Sequence, residues 1–102
     1  MTPLSTDEVR GHLAGLPDWT VTADHRALQR SFRFADFAEA FGFMARMAAV
    51  SERLDHHPEW FNVYNRVDVT LTTHDAGGLS GRDIAWAKAA DSAYAALGRQ
   101  GA

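Results

Sequence analysis

Residues 36–71 read DFAEAFGFMARMAAVSERLDHHPEWFNVYNRVDVTL, and the period of their apolar positions changes once along the way. From Asp36 to Leu54 those positions recur at helical spacing. Phe37, Phe41, Met44 and Ala48 form one stripe, and Ala40, Phe43, Met47, Val50 and Leu54 form a second. Asp36, with Glu39 three residues on, supplies the helix start, and Pro58 ends any helical continuation. From Phe61 the period is two. Phe61 and Val63 alternate with Asn62 and Tyr64, and Val67, Val69 and Leu71 alternate with Asp68, Thr70 and Thr72. Asn65-Arg66 is the predicted tight turn between them, because asparagine tolerates the positive φ such a turn requires. A long helix followed by a hairpin places the chain in the α+β class. The apolar arc of the helix is wider than a surface helix needs. It is expected to meet the sheet on one side and other helices, or a second subunit, on another.

The same reading extends outward in both directions. Ser5 and Glu8 form a capping box for a first helix, flanked by the staple pair Leu4 and Val9, and Gly15 with Pro17 stops it. Trp19 and Val21 alternate with Thr20 and Thr22, and Asp24-His25 reads as a turn. Leu28, Phe32 and Phe34 then alternate with Gln29, Ser31 and Arg33, although Arg30 interrupts the apolar set. Beyond the second hairpin, Gly77-Gly78 marks a loop. Ser80 and Asp83 open a last helix carrying Ile84, Trp86, Ala90, Ala93, Tyr94 and Leu97, closed by Gly98. The order is α-β-β-α-β-β-α. Strands joined by hairpins are antiparallel, and helices beside such a sheet lie on one face.

With 102 residues the chain has room for one domain, spanning 1–102, and not two. A hydrophobic share of 46% argues against disorder. The net charge of −3 and the scatter of its ten basic residues leave no electrostatic footprint for nucleic acid or anionic lipid. Without cysteine there is no disulfide and no thiolate metal site. No apolar run approaches membrane-spanning length, and Met1 to Glu8 lacks the features of a signal peptide, so a cytoplasmic protein is expected.

Three histidines carry the candidate chemistry. His56 and His57 precede Pro58 at the helix-to-strand junction, and His74 ends the last strand; such junctions present side chains to ligands from rigid elements. Imidazole titrates near pH ~6.5, so it can give or take a proton at neutrality. Glu52 lies four residues before His56, a spacing at which a carboxylate can orient a histidine and raise its basicity. The plain alternatives stand beside this. A His-His pair at a helix end is as often a cap or a surface feature. Glu52 alone is a solvated helix residue, Asp83 sits where a capping-box acid belongs, and Trp60 and Tyr64 are ordinary packing residues. His12 and His25 are expected at the surface. A histidine zinc site is disfavoured, since adjacent residues in extended chain point in opposite directions and H-E-x-x-H is absent. No phosphate-binding glycine loop and no serine or cysteine nucleophile is visible.

The run Glu52-Arg53-Leu54-Asp55-His56-His57-Pro58 resembles the E-x-x-x-H-H-P signature of the pterin-4a-carbinolamine dehydratases. Tyr64, His74 and Asp83 follow at intervals that agree with the family pattern. The text between, HHPEWFNVYN, then V-x-V-x-L-x-T-H-D, then G-G-L-S-x-x-D, is similar too, as are Trp19 and the stretch from Phe32 to Met44. The likeness covers nearly the whole chain. One departure is Asp18, where glycine is common; it is a turn position.

The resemblance implies a four-stranded antiparallel sheet with helices packed on one face, in dimers or tetramers. It implies loss of water from 4a-hydroxytetrahydrobiopterin to give a quinonoid dihydropterin, which recycles the cofactor of aromatic amino-acid hydroxylases. No metal and no redox cofactor is called for, since histidines near neutral pKa suffice. By the same analogy His56 and His74 form the acid/base pair and His57 binds and orients the pterin. Glu52 would tune His56, Pro58 would fix the backbone of the histidine pair, and Asp83 would orient His74 or a ring nitrogen. Trp60 or Tyr64 would line the pocket. Two alternatives remain: a protein-binding module, since some members of the family act as dimerisation partners of a transcription factor, and pterin handling in molybdopterin-related metabolism.

Overall fold

The alternation along the second and fourth strands decides which way the sheet faces. The computed structural model describes residues 2–98; Met1, part of the N-terminal reading, and residues 99–102 lie outside them. Its elements are α1 (Thr6–Leu13), β1 (Thr20–Val21), β2 (Leu28–Arg33), α2 (Phe37–Leu54), β3 (Glu59–Val63), β4 (Arg66–Leu71), a short 3-10 helix (His74–Ala76) and α3 (Gly81–Ala95). This is the expected α-β-β-α-β-β-α order. The four strands form one antiparallel sheet in the order β1-β2-β4-β3. β2 and β4 pair from Leu28↔Leu71 to Arg33↔Arg66, which joins the two hairpins. Leu28, Arg30 and Phe32 of β2 and Val67, Val69 and Leu71 of β4 are buried, while their neighbours Gln29, Ser31, Asp68 and Thr70 are not. One face of the sheet is therefore covered by helices and the other is open. On the open face Gln29 bonds Thr70 at 3.2 Å and Ser31 bonds Asp68 at 2.5 Å.

The second stripe of α2, Ala40, Phe43, Met47 and Val50, enters the core. There Phe43 meets Phe32 at 4.8 Å and Phe34 at 5.1 Å between ring centroids, and Tyr94 of α3 closes edge-on against Phe32 at 5.0 Å. Trp86 is fully buried, and its indole N–H donates to Ser51 Oγ at 2.9 Å, fixing α3 against α2. Of the first stripe, Phe37 and Phe41 stay outside at 49% and 56% exposed, while Met44 is partly buried against the core.

Four local expectations are amended. α2 stops at Leu54 through its own cap, before Pro58 can act, because Asp55 takes left-handed φ 50°. The Asp55 N–H reaches Glu52 O and the His56 N–H reaches Ser51 O, a Schellman closure with aspartate in the usual glycine position. The hairpin turn is Tyr64-Asn65, one residue earlier than expected, and Tyr64 carries the positive φ of 48°. Asn65 is held instead by Phe34, just past β2, its Nδ2 donating to Phe34 O at 3.0 Å and its own O accepting from Phe34 N at 2.9 Å. Trp19 precedes β1 rather than opening it, and its indole N–H donates to Asp91 at 2.8 Å. His74 begins the 3-10 helix beyond the last strand, not its end.

Arg30 is the polar residue on the buried face. Its guanidinium lies 4.3 Å from the Phe32 ring centroid and pairs with Asp91 at 2.6 Å. Burial pushes the Asp91 carboxyl up, against hydrogen bonds from Trp19 and Arg30 that hold it down. Asp91→Ala leaves the buried cation only its longer pair to Asp18 at 3.7 Å and takes the acceptor from the Trp19 indole N–H. It should lower stability by about 2 kcal/mol, less than a fully buried pair would give because Asp91 is partly solvated. Arg30→Met with Asp91→Leu should recover most of that loss. Urea unfolding midpoints of the wild type, Asp91→Ala, Arg30→Met and the double variant check this.

Candidate active site

The Schellman turn at Asp55 separates the fates of the two adjacent histidines. It turns His56 inward toward α3, where it is 7% exposed, and leaves His57 at the surface. His74 stands exposed on the 3-10 helix after β4. All three line one depression of about 340 Å³, together with Asp55, Thr72, Thr73, Asp75 and Arg82. Residues distant in sequence thus meet where the end of α2, the segment after β4 and the start of α3 converge.

Each histidine has its own carboxylate. His56 Nε2 lies 2.6 Å from Asp83 Oδ1, with the Asp83 side chain wholly buried. His57 Nε2 lies 2.5 Å from Glu52 Oε2, and His74 Nε2 lies 3.5 Å from Glu59 Oε2, both pairs in solvent. Two expected pairings are thereby corrected. Glu52 meets His57 and not His56, because the helix ends before His56 and the four-residue spacing no longer defines a shared face. Asp83 holds His56 and not His74. It caps α3 at the same time: Oδ2 accepts from the Ser80 N–H at 2.9 Å and from the Thr73 hydroxyl at 2.7 Å, while Oδ1 is left for His56. The capping role and the site role belong to one side chain, divided between its two oxygens.

Pro58 follows the histidine pair directly, and its own φ is fixed by the ring. Trp60 and Tyr64 stand outside the depression. Trp60 packs edge-on against Trp86 at 6.1 Å, and Tyr64 is 62% exposed in the hairpin turn. The residues that sequence reasoning missed are Asp55, Glu59, Thr72, Thr73, Asp75 and Arg82. Thr73 and Asp75 flank His74, and Asp55 and Glu59 flank the His56-His57-Pro58 run, so adjacency was the available signal. Arg82 enters only through the packing of α3. A larger depression, about 440 Å³, lies on the open sheet face among Asp18, Thr20, Gln29, Ser31, Asp68 and Thr70. It holds no histidine, so it offers no proton donor and acceptor suited to neutral pH. Size alone does not make it the better site. Among the described residues no group of three His, Asp or Glu side chains is placed to share a metal ion, and no helix is long and apolar enough to cross a membrane.

The fold is a small α+β domain, and one depression on it gathers three histidines. Residues 2–93 match the family model described as pterin 4 alpha carbinolamine dehydratase, and the chain belongs to that family. Among curated relatives, "Putative pterin-4-alpha-carbinolamine dehydratase" of Burkholderia ambifaria (strain MC40-6) is 59% identical over 88 residues, 86% of each chain. The protein of the same name from Rhodospirillum rubrum is 63% identical over 79 residues, 78% of this chain and 82% of that one. A crystal structure of a transcriptional coactivator/pterin dehydratase from Brucella melitensis superimposes with TM-score 0.87 at 47% identity, covering 90% of this chain and 98% of the other. A pterin dehydratase-like protein identified as a RuBisCO assembly factor in the alpha-carboxysome shares the fold, with TM-score 0.65 at 23% identity over 74% of this chain and 88% of that one.

The two kinds of carboxylate pair should separate in stability measurements. Asp83→Ala removes three buried hydrogen bonds and should cost about 3 kcal/mol. Glu52→Ala breaks an exposed pair and should cost no more than about 1 kcal/mol. Chemical denaturation of the two variants reads the difference.

Proposed function

We propose that the protein is a pterin-4a-carbinolamine dehydratase that converts 4a-hydroxytetrahydrobiopterin to quinonoid dihydropterin and water. The observation that carries this reading is the convergence of His56, His57 and His74 on one depression, each backed by a carboxylate. The substrate carries a hydroxyl and a ring nitrogen on one carbon. A base takes the N–H proton, the nitrogen electron pair forms the C=N bond, the C–O bond breaks, and an acid delivers the proton that lets the hydroxyl leave as water. The protons balance within the two imidazoles, one taking a proton and the other giving one.

In this reading His56 and His74 form the acid/base pair and His57 binds and orients the pterin. Glu52 now supports His57, and Pro58 keeps the histidine pair in place. The product returns to the cofactor cycle of an aromatic amino-acid hydroxylase, in the cytoplasm. Dehydration of a 4a-hydroxytetrahydropterin generated in situ tests it. Wild type should outpace the uncatalysed reaction, and His56→Ala and His74→Ala should each slow it by roughly 10²-fold or more. His57→Ala should raise KM more than it lowers kcat. Variants at wild-type rates would remove the acid/base assignment.

The protein is also proposed to act as a homodimer or homotetramer. Phe37 and Phe41 sit one turn apart on α2, with ring centroids 5.9 Å apart, and both are half exposed in the single chain. An apolar stripe of this kind is normally covered. Phe41→Glu should shift the sedimentation coefficient toward that of a smaller assembly, with the far-ultraviolet circular dichroism unchanged.

A further inference from the structure

Resting on the dehydratase reading of this pocket, we propose that Thr73 is a positioning residue that ties His56 and His74 to one carboxylate. Thr73 is 4% exposed and immediately precedes His74. Its hydroxyl lies 2.7 Å from Asp83 Oδ2 and 2.7 Å from Ser80 Oγ. A carboxylate only accepts, so the single Thr73 hydroxyl proton points to Asp83 and the Ser80 hydroxyl must donate to Thr73. His56 Nε2 then donates to the other oxygen, Oδ1, at 2.6 Å. The chain runs in one direction, from Ser80 through Thr73 to Asp83, and meets His56 from the opposite side. With its Nε2 proton engaged at Asp83, neutral His56 keeps its Nδ1 lone pair free for substrate.

The backbone of Thr73 does a second job. Its N–H donates to Gly78 O at 2.9 Å, and its O accepts from Ala76 N at 3.0 Å and from Gly78 N at 3.3 Å. These bonds close the loop that carries His74 upon Thr73 itself. One buried residue therefore closes the loop of one histidine and donates to the carboxylate that fixes the tautomer of the other. A threonine that served packing alone would not need its hydroxyl directed at the carboxylate that holds His56.

Thr73→Val keeps the shape and deletes the hydroxyl, and Thr73→Ser keeps the hydroxyl. In the in situ dehydration assay Thr73→Val should lower kcat about tenfold, a part of the ~10²–10⁴ that a general acid or base supplies, and displace the pH–rate profile, while Thr73→Ser should restore both. A folded Thr73→Val with wild-type kcat and pH profile would overturn the proposal. So would a Thr73→Ser that behaves like valine. The ring nitrogens of His56, observed by ¹⁵N NMR in the wild type, give a test that needs no variant. The neutral ring should carry its proton on Nε2, and an Nδ1–H tautomer would also overturn it. Because that measurement needs no turnover, it separates failure of this hydrogen-bonded chain from failure of the dehydratase reading, which would show as no acceleration by wild type.

Discussion

The carboxylate of Asp83 is the constraint on which the site depends. It has no exposed surface, and it accepts from the Ser80 backbone, the Thr73 hydroxyl and the His56 ring. Leaving such a group without partners would cost several kcal/mol, so the three elements that supply its donors are held in register. Those elements are the turn after α2, the segment after β4 and the N-terminus of α3, and the depression lies where they meet. The interaction that caps a helix also defines the geometry of the candidate chemistry.

Much of this was legible from local patterns. Asp36 caps α2, and the Ser5–Glu8 and Ser80–Asp83 boxes cap α1 and α3, because capping is decided within four residues. The inward alternation of Val67, Val69 and Leu71 followed from the period of two. The three histidines were found because their chemistry and spacing are distinctive. What escaped depended on geometry beyond one turn. The left-handed Asp55 reassigns Glu52 from His56 to His57, and nothing in the residue type requires that conformation. The pairing of His56 with Asp83 spans 27 positions. The hairpin turn moved by one residue because Asn65 is recruited by Phe34, a contact that no turn rule includes.

The Arg30 cluster shows the same logic with a different outcome. Arg30 broke an apolar pattern in the sequence, and its side chain is 4% exposed. Asp91 and the faces of Phe32 and Tyr94 receive its guanidinium. That cluster joins β2 to α3 with no histidine among its contacts, and it belongs to the scaffold. The family match and the Brucella structure share this architecture, and the histidines of the chain gather in one depression on it. The exposed stripe of α2 accounts separately for the wide apolar arc seen in the sequence.

The central claim is that a pterin binds among His56, His57 and His74. Titration of ¹⁵N-labelled protein with a non-reactive dihydropterin, followed by NMR of the imidazole and backbone signals, tests it most directly. The account predicts saturable shifts of the three histidine rings and of Thr73 and Arg82. Shifts confined to the open sheet face, at Gln29, Ser31, Asp68 and Thr70, would contradict it.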